Sequence, residues 1–130
     1  MHTIVQPDGW KPPKGYANAV LAEGRTLFLG GQIGWNGDQV FETHDFIGQM
    51  EQALRNIVAL VEAAGGRTSD IVRLTWFVTD KKEYVARQRE VGEAYRRVMG
   101  KHFPAMSVVV VAGLIEDAAL IEIEATVVLS

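Results

Sequence analysis

Near its C-terminal end the chain alternates isoleucines with carboxylates, Ile121-Glu122-Ile123-Glu124-Ala125, inside a run that otherwise reads as a buried strand. Successive side chains of a strand point to opposite faces, so Ile121 and Ile123 share one face and Glu122 and Glu124 the other. The isoleucine face demands an apolar cover. A Glu on such a strand costs free energy unless a charge or hydrogen bond meets it. The second face is therefore expected to hold a site or an interface.

The cover is legible upstream. Phe46, Met50, Ala53, Leu54, Ile57, Val58, Val61 and Ala64 recur at helical spacing, and Gly65-Gly66 supplies the stop. Asp80, with Glu83 three residues on, predicts the start of a second helix. Tyr84, Val91, Tyr95 and Val98 form its buried stripe and Gly100 its end. Between the helices, 71–78 reads as a strand with Val72, Leu74, Trp76 and Val78 on one face and Arg73, Thr75 and Phe77 on the other. Residues 3–5 form a short strand candidate. A loop holding Pro7, Gly9, Pro12, Pro13 and Gly15 then leads to Tyr16. Segments 18–22 and 26–30 flank Glu23-Gly24-Arg25 and predict a hairpin. Segments 108–111 and 120–129 are the last two strands.

This order predicts one α+β domain over 1–130, with two helices packed on one face of a sheet. Val108-Val109-Val110-Val111 is apolar on both sides, which predicts burial on both faces. Two helices cover only one, so further copies of the chain are expected on the other, as a homo-oligomer.

Composition narrows the chemistry. A net charge of −3 and a pI near 5.6 give no electrostatic footprint for nucleic acid. Arg87, Arg89, Arg96 and Arg97 read as the solvated face of the second helix. With no cysteine, thiolate nucleophiles and disulfides are out. His2, His44 and His102 lie far apart in sequence, so no metal site is expected. No basic-then-apolar leader and no apolar run of roughly 18 residues is present, so the chain reads as soluble and cytoplasmic.

Three features carry candidate chemistry. Partial desolvation on the second face would raise a Glu122 or Glu124 carboxyl toward neutrality and make it a usable proton donor or acceptor. The alternative is an ion pair with a neighbouring subunit, through Arg73 or Arg25. Gly30-Gly31-Gln32-Ile33-Gly34 lacks the ending of a phosphate loop and reads instead as a place of close backbone approach. Tyr16 either lines a pocket or packs.

Gly15-Tyr16 ahead of a strand, Gly31-Gln32-Ile33, Gln49 through Asn56-Ile57 to Ala63-Ala64-Gly65, Thr79-Asp80, Pro104-Ala105 and Ile121-Glu122-Ile123-Glu124-Ala125 occur in this order over nearly all 130 residues. The set resembles the Rid (YjgF-like, reactive intermediate deaminase) superfamily. That resemblance implies a chorismate-mutase-like (YjgF-like) α+β fold with a mixed sheet and two helices on one face. It also implies a homotrimeric barrel with small-molecule clefts between subunits. In the deaminating branch it implies hydrolysis of an enamine or imine with no metal or organic cofactor. Carried over by position, Glu122 helps position or activate water, Tyr16 lines the cleft, and Gly31 meets the ligand through its backbone.

One departure bears on mechanism. The family motif Pro-Ala-Arg-Ser/Thr clamps a substrate carboxylate with its arginine, and this chain has Met106 there. Methionine is an adaptable apolar wall with no charge. Arg89 falls where the deaminating branch often has asparagine near the cleft, and it either supplies the missing cation or is simply exposed. The resemblance thus leaves open an enamine or imine deaminase of altered specificity and a non-catalytic ligand-binding or chaperone-like trimer. Nuclease activity, which the superfamily also implies for some members, fits the acidic composition poorly.

Overall fold

The computed structural model describes residues 2–129. Its elements are β1 (Thr3–Val5), β2 (Ala19–Leu21), β3 (Arg25–Ile33), α1 (Phe46–Ala63), β4 (Ile71–Val78), α2 (Lys81–Ala86), α3 (Gln88–Met99), β5 (Ala105–Val110) and β6 (Ile121–Leu129). The main sheet has the order β3-β6-β4-β5. β6 runs antiparallel to both neighbours, and β4 and β5 are parallel, so the sheet is mixed.

The core lies between this sheet and the helices. Met50, Ala53, Leu54, Ile57 and Val61 of α1 are fully buried, as the 3.6-residue period requires. They meet Leu74, Trp76 and Val78 of β4 and Ile121, Ile123 and Val127 of β6 in one cluster. Each fully buried side chain of this size is worth about 1.5–3 kcal/mol. Val91, Ala94, Tyr95 and Met99 close the cluster from α3.

Three expectations are corrected. The hairpin over 18–30 does not form, because β2 pairs with β1 and β3 with β6. Gly24, at φ +144°, brings the chain hard against the Leu129 backbone, where a Cβ would collide. Leu27 and Leu29 are thereby set opposite Val127 and Ala125 on the core side. The second helix is broken into α2 and α3 at Arg87, whose φ −113° and ψ 25° leave the helical range. Its guanidinium is held there by Asp45 at 2.7 Å, Glu90 at 2.8 Å and Glu83 at 3.7 Å. In β4 a register shift between Ile71 and Arg73 puts Ile71, not Val72, in the core. Within one chain the valine run stays partly open, as it must if further copies complete its cover. β5 is an edge strand paired to β4 alone, so Val109 is 41% and Val110 52% exposed.

A buried amide, a half-buried one and a glycine lock the sheet to α1. Gln49 donates to the carbonyls of Ala118 (2.9 Å) and Thr43 (3.2 Å) and accepts from the Leu120 amide (2.8 Å). Asn56 donates to the carbonyls of Ile33 and Trp35. A Cβ on Gly34 would fall 2.7 Å from the Gln49 Cα, so only glycine lets β3 end against the helix backbone.

Candidate active site

On the face away from the helices the register builds three rows. Glu122, Phe77 and Val109 form one, Glu124, Thr75 and Ser107 the next, and Thr126, Arg73 and Ala105 the third. Glu122 is half-buried and Glu124 exposed. Among the described residues neither carboxylate makes an ion pair or a side-chain hydrogen bond, with Arg73 or Arg25 or any other group.

The glycine pair explains how Glu122 keeps its room. Leu29 lies opposite Ala125 and Gln32 opposite Ile123, so Gly30 and Gly31 together face the single position of Glu124. This two-against-one count is a β-bulge, and it re-aims the strand beside the carboxylate. A Cβ on Gly31 would sit 2.6 Å from the Glu122 Cδ. Close approach, not a left-handed φ, is what demands glycine here. Sequence spacing anticipated the close approach but not its partner.

Tyr16 is carried by a loop stitched to the start of β5. The Ala17 amide donates to the Pro104 carbonyl at 3.0 Å, and Ala17 bridges Ala105. Tyr16, Arg73, Met106 and Ser107 line a depression of about 270 Å³. Met106 is half-buried, packs against the core, and contributes to a helix-side cavity as well. The structure thus joins Tyr16 to Met106, and Gly31 to Glu122, as two groups. Met106 lies in the Leu74–Ala125 row, three residues along the strands from the Phe77–Glu122 row, about 10 Å at the strand rise.

Arg89 joins neither group. Its side chain is 95% exposed and lies 3.5 Å from Glu93 on its own helix. Ser107 is a site-lining residue that sequence reasoning did not single out, and Arg73, read only as an ion-pair partner for the carboxylates, lines the Tyr16 depression. The period-two pattern set Arg73 on the right face, but nothing in the sequence announced that β5 runs parallel to β4 and lays Ala105 beside it.

A larger depression, about 450 Å³, lies elsewhere, lined by His2, Arg67, Asp70 and His102 among others. Among the described residues no group of three His, Cys, Asp or Glu could hold a metal ion. No described helix is long and apolar enough to cross a membrane.

Comparisons with known proteins agree with this architecture. Residues 8–129 match the family model described as Endoribonuclease L-PSP. The 2-iminobutanoate/2-iminopropanoate deaminase of Escherichia coli K12 is 38% identical over 105 residues, 78% of each chain. Among solved structures, the Rid family protein YyfB from Yersinia pestis superposes with a TM-score of 0.87 at 30% identity, covering 98% of both chains. The E. coli protein TdcF with bound serine gives 0.70 at 31% identity, over 94% of this chain and 92% of that one. With a family model spanning nearly its whole length and the same fold in a Rid protein, this chain belongs to the Rid (YjgF-like) family.

Proposed function

We propose that the chain is a homotrimeric Rid protein whose intersubunit clefts bind a small metabolite, and that Glu122 there drives hydrolysis of an enamine or imine. Its substrate is less anionic or more apolar than a 2-imino acid, because Met106 occupies the clamp position. The observation that carries this reading is Glu122 itself. It stands on the open face, given room by Gly31 and tied up by no partner among the described residues. A carboxylate placed to brace the fold of its own chain would be expected in an ion pair within it.

In the proposed step, water adds to the carbon of a C=N group while Glu122 takes one of its protons. The nitrogen gains a proton, and the carbinolamine collapses to a carbonyl and ammonia. No redox partner is required. Assembly of copies is supported by Phe28, 77% exposed, and Val109 on the same uncovered face. It is supported also by the split of the site into two groups within one chain. The deaminase name of the E. coli relative and the serine bound by TdcF point to small amino-acid-derived ligands.

The test is ammonia release from freshly generated 2-iminobutanoate by the native chain, Met106→Arg, and Met106→Arg with Glu122→Gln. Little release by the native chain, a gain in Met106→Arg and its loss with Glu122→Gln is the expected pattern. A gain that survives Glu122→Gln refutes the acid–base role. Silence in all three means that an arginine at 106 does not restore the family reaction, and it refutes Met106 as the reason for the altered substrate. Strong release by the native chain would mean that another cation replaces the clamp, and Arg73 in the Tyr16 depression is then the group to mutate.

A further inference from the structure

The arginines of the second helical segment are not equivalent. Arg87 is held by three carboxylates, Arg89 faces Glu93, and Arg97 bonds Glu51 at 2.8 Å. Arg96 makes no ion pair among the described residues. Its guanidinium folds back over the bare turn at Gly92, where a Cβ would lie 3.4 Å from Nη1. There it lines a cavity of about 310 Å³ on the helix side of the sheet.

The lining of that cavity is unusual for an acidic chain. Lys14 and Arg96 contribute two cations, and no Asp or Glu contributes. Trp76, Tyr95 and Phe103 form a stacked series along it, with centroids 6.2 Å and 5.3 Å apart. The Tyr95 hydroxyl is already engaged, donating to the His102 carbonyl at 2.6 Å. The Trp76 indole N–H is not. Trp76 is 2% exposed, and its Nε1 is buried with no acceptor among protein atoms. A buried donor without a partner costs about 1–3 kcal/mol, so this cavity carries an unmet demand for an acceptor.

We infer that the Trp76–Arg96 cavity binds a small organic anion, with its carboxylate at Arg96 and Lys14, its apolar body against the stacked aromatic series, and an uncharged acceptor taking the Trp76 N–H. The site lies across the sheet from Glu122. Trp76 and Met106 belong to the core-facing set of their strands, whereas Glu122 is in register with Phe77 on the other face. Met106 lines this cavity as well as the Tyr16 depression, so the two readings share that residue but not Glu122. The aromatic walls favour a planar body. A guanidinium and an ammonium at a partly enclosed mouth favour a single carboxylate.

Hippurate, which has a carboxylate, an amide carbonyl and a phenyl ring, is the probe. Titrated into the ¹⁵N-labelled native chain, it is expected to move the Trp76 indole resonance saturably. That resonance is identified among the three tryptophans by Trp10→Phe and Trp35→Phe. Arg96→Gln, at an exposed position, should weaken binding by about tenfold, the loss of one charge-assisted contact. Hippuramide, which keeps the carbonyl but not the charge, should bind at least as weakly. 4-Phenylbutyrate, which lacks the inner acceptor, should bind more weakly than hippurate. Glu122→Gln should leave hippurate affinity unchanged, so a dead hydrolytic site cannot be mistaken for a failed anion site. A Trp76 resonance unmoved by hippurate, or moved equally in Arg96→Gln or by hippuramide, overturns the inference.

Discussion

On the side of the sheet turned to the helices, Ile71, Leu74, Trp76, Val78, Ile121, Ile123 and Val127 are at most 2% exposed. One residue along the same strands, the other side carries Arg73, Thr75, Phe77, Glu122, Glu124 and Thr126, half-buried or exposed. The two faces share their backbone and hydrogen bonds, so they differ only in side chains and cover. The period of two lets one strand satisfy packing and chemistry independently. A carboxylate can sit on β6 without taxing the core because the isoleucines flanking it point the other way. The bulge at Gly30-Gly31 disturbs β3 next to Glu122, while Leu27 and Leu29 before it stay in register with β6.

The sharpest way to break this comparison is to truncate two neighbours. Ile123→Ala should cost about 2–5 kcal/mol in urea unfolding, since it opens a cavity between β6 and α1. Glu124→Ala, one residue away, should stay within about 0.5 kcal/mol. If the two losses were similar, the open face would be bearing as much of the fold as the covered one, and the division of labour would be wrong.

A smaller effect sharpens the same contrast from the helix side. Gln49 is buried among apolar residues yet fully engaged, and through Ala118 and Leu120 it pins the segment that enters β6 just before Glu122. Gln49→Leu keeps the volume but leaves the Leu120 N–H without its acceptor, a loss of about 1–3 kcal/mol. Exchange of the Leu120 amide should quicken more than that of Ile57 in mid-helix, because the damage is local before it is global. Equal acceleration of both would mean Gln49 supports the core rather than the approach to the site.

Much of this architecture was legible because the periods were clean. The stripes from Phe46 to Val61 and from Val91 to Tyr95, and the alternation at 121–124, each fix a face without tertiary knowledge. Strand partners were harder. Glu23-Gly24-Arg25 looks like a turn in isolation, and only the fit of Leu27 and Leu29 to Val127 and Ala125 sends β3 to β6. The valine run carries a related ambiguity, since four valines suit an edge strand covered by another copy as well as the middle of a sheet. At the site, the place of Glu122 followed from alternation. The place of Arg73 beside Tyr16, the pairing of Gly31 with Glu122, and the cavity under Arg96 needed the fold, because each arises from residues distant in sequence. Arg87 broke the second helix for reasons its own neighbourhood only half contains, since Asp45 lies 42 residues away.

That Asp45–Arg87 contact gives the smallest effect and the most specific one. Asp45 caps α1 by accepting from the Gly48 amide at 3.2 Å, and it also accepts from Arg87 at 2.7 Å. The Arg87 hydrogen bond, the largest influence, holds its carboxyl below the ordinary 3.8 against the opposing push of burial, and the cap contributes less than either. A carboxyl depressed in the folded state adds stability above its unfolded value and loses it as pH falls through the folded one. The contribution should therefore be complete at pH 7 and fade below about pH 4. Asp45→Ala removes cap and pair together and should cost about 1 kcal/mol at pH 7, most of it from the cap, because the pair is half-exposed and screened. Asp45→Asn keeps a capping oxygen and loses the charge, so it should cost less than Asp45→Ala at pH 7 and lie near the native chain at pH 3. Thermal melts of the three proteins at both pH values separate the two contributions. A deficit in Asp45→Asn as large as that in Asp45→Ala would show that the helical layer depends on its charged rim, and the apolar stripe beneath it would then carry less of the fold than the contrast between the two faces implies.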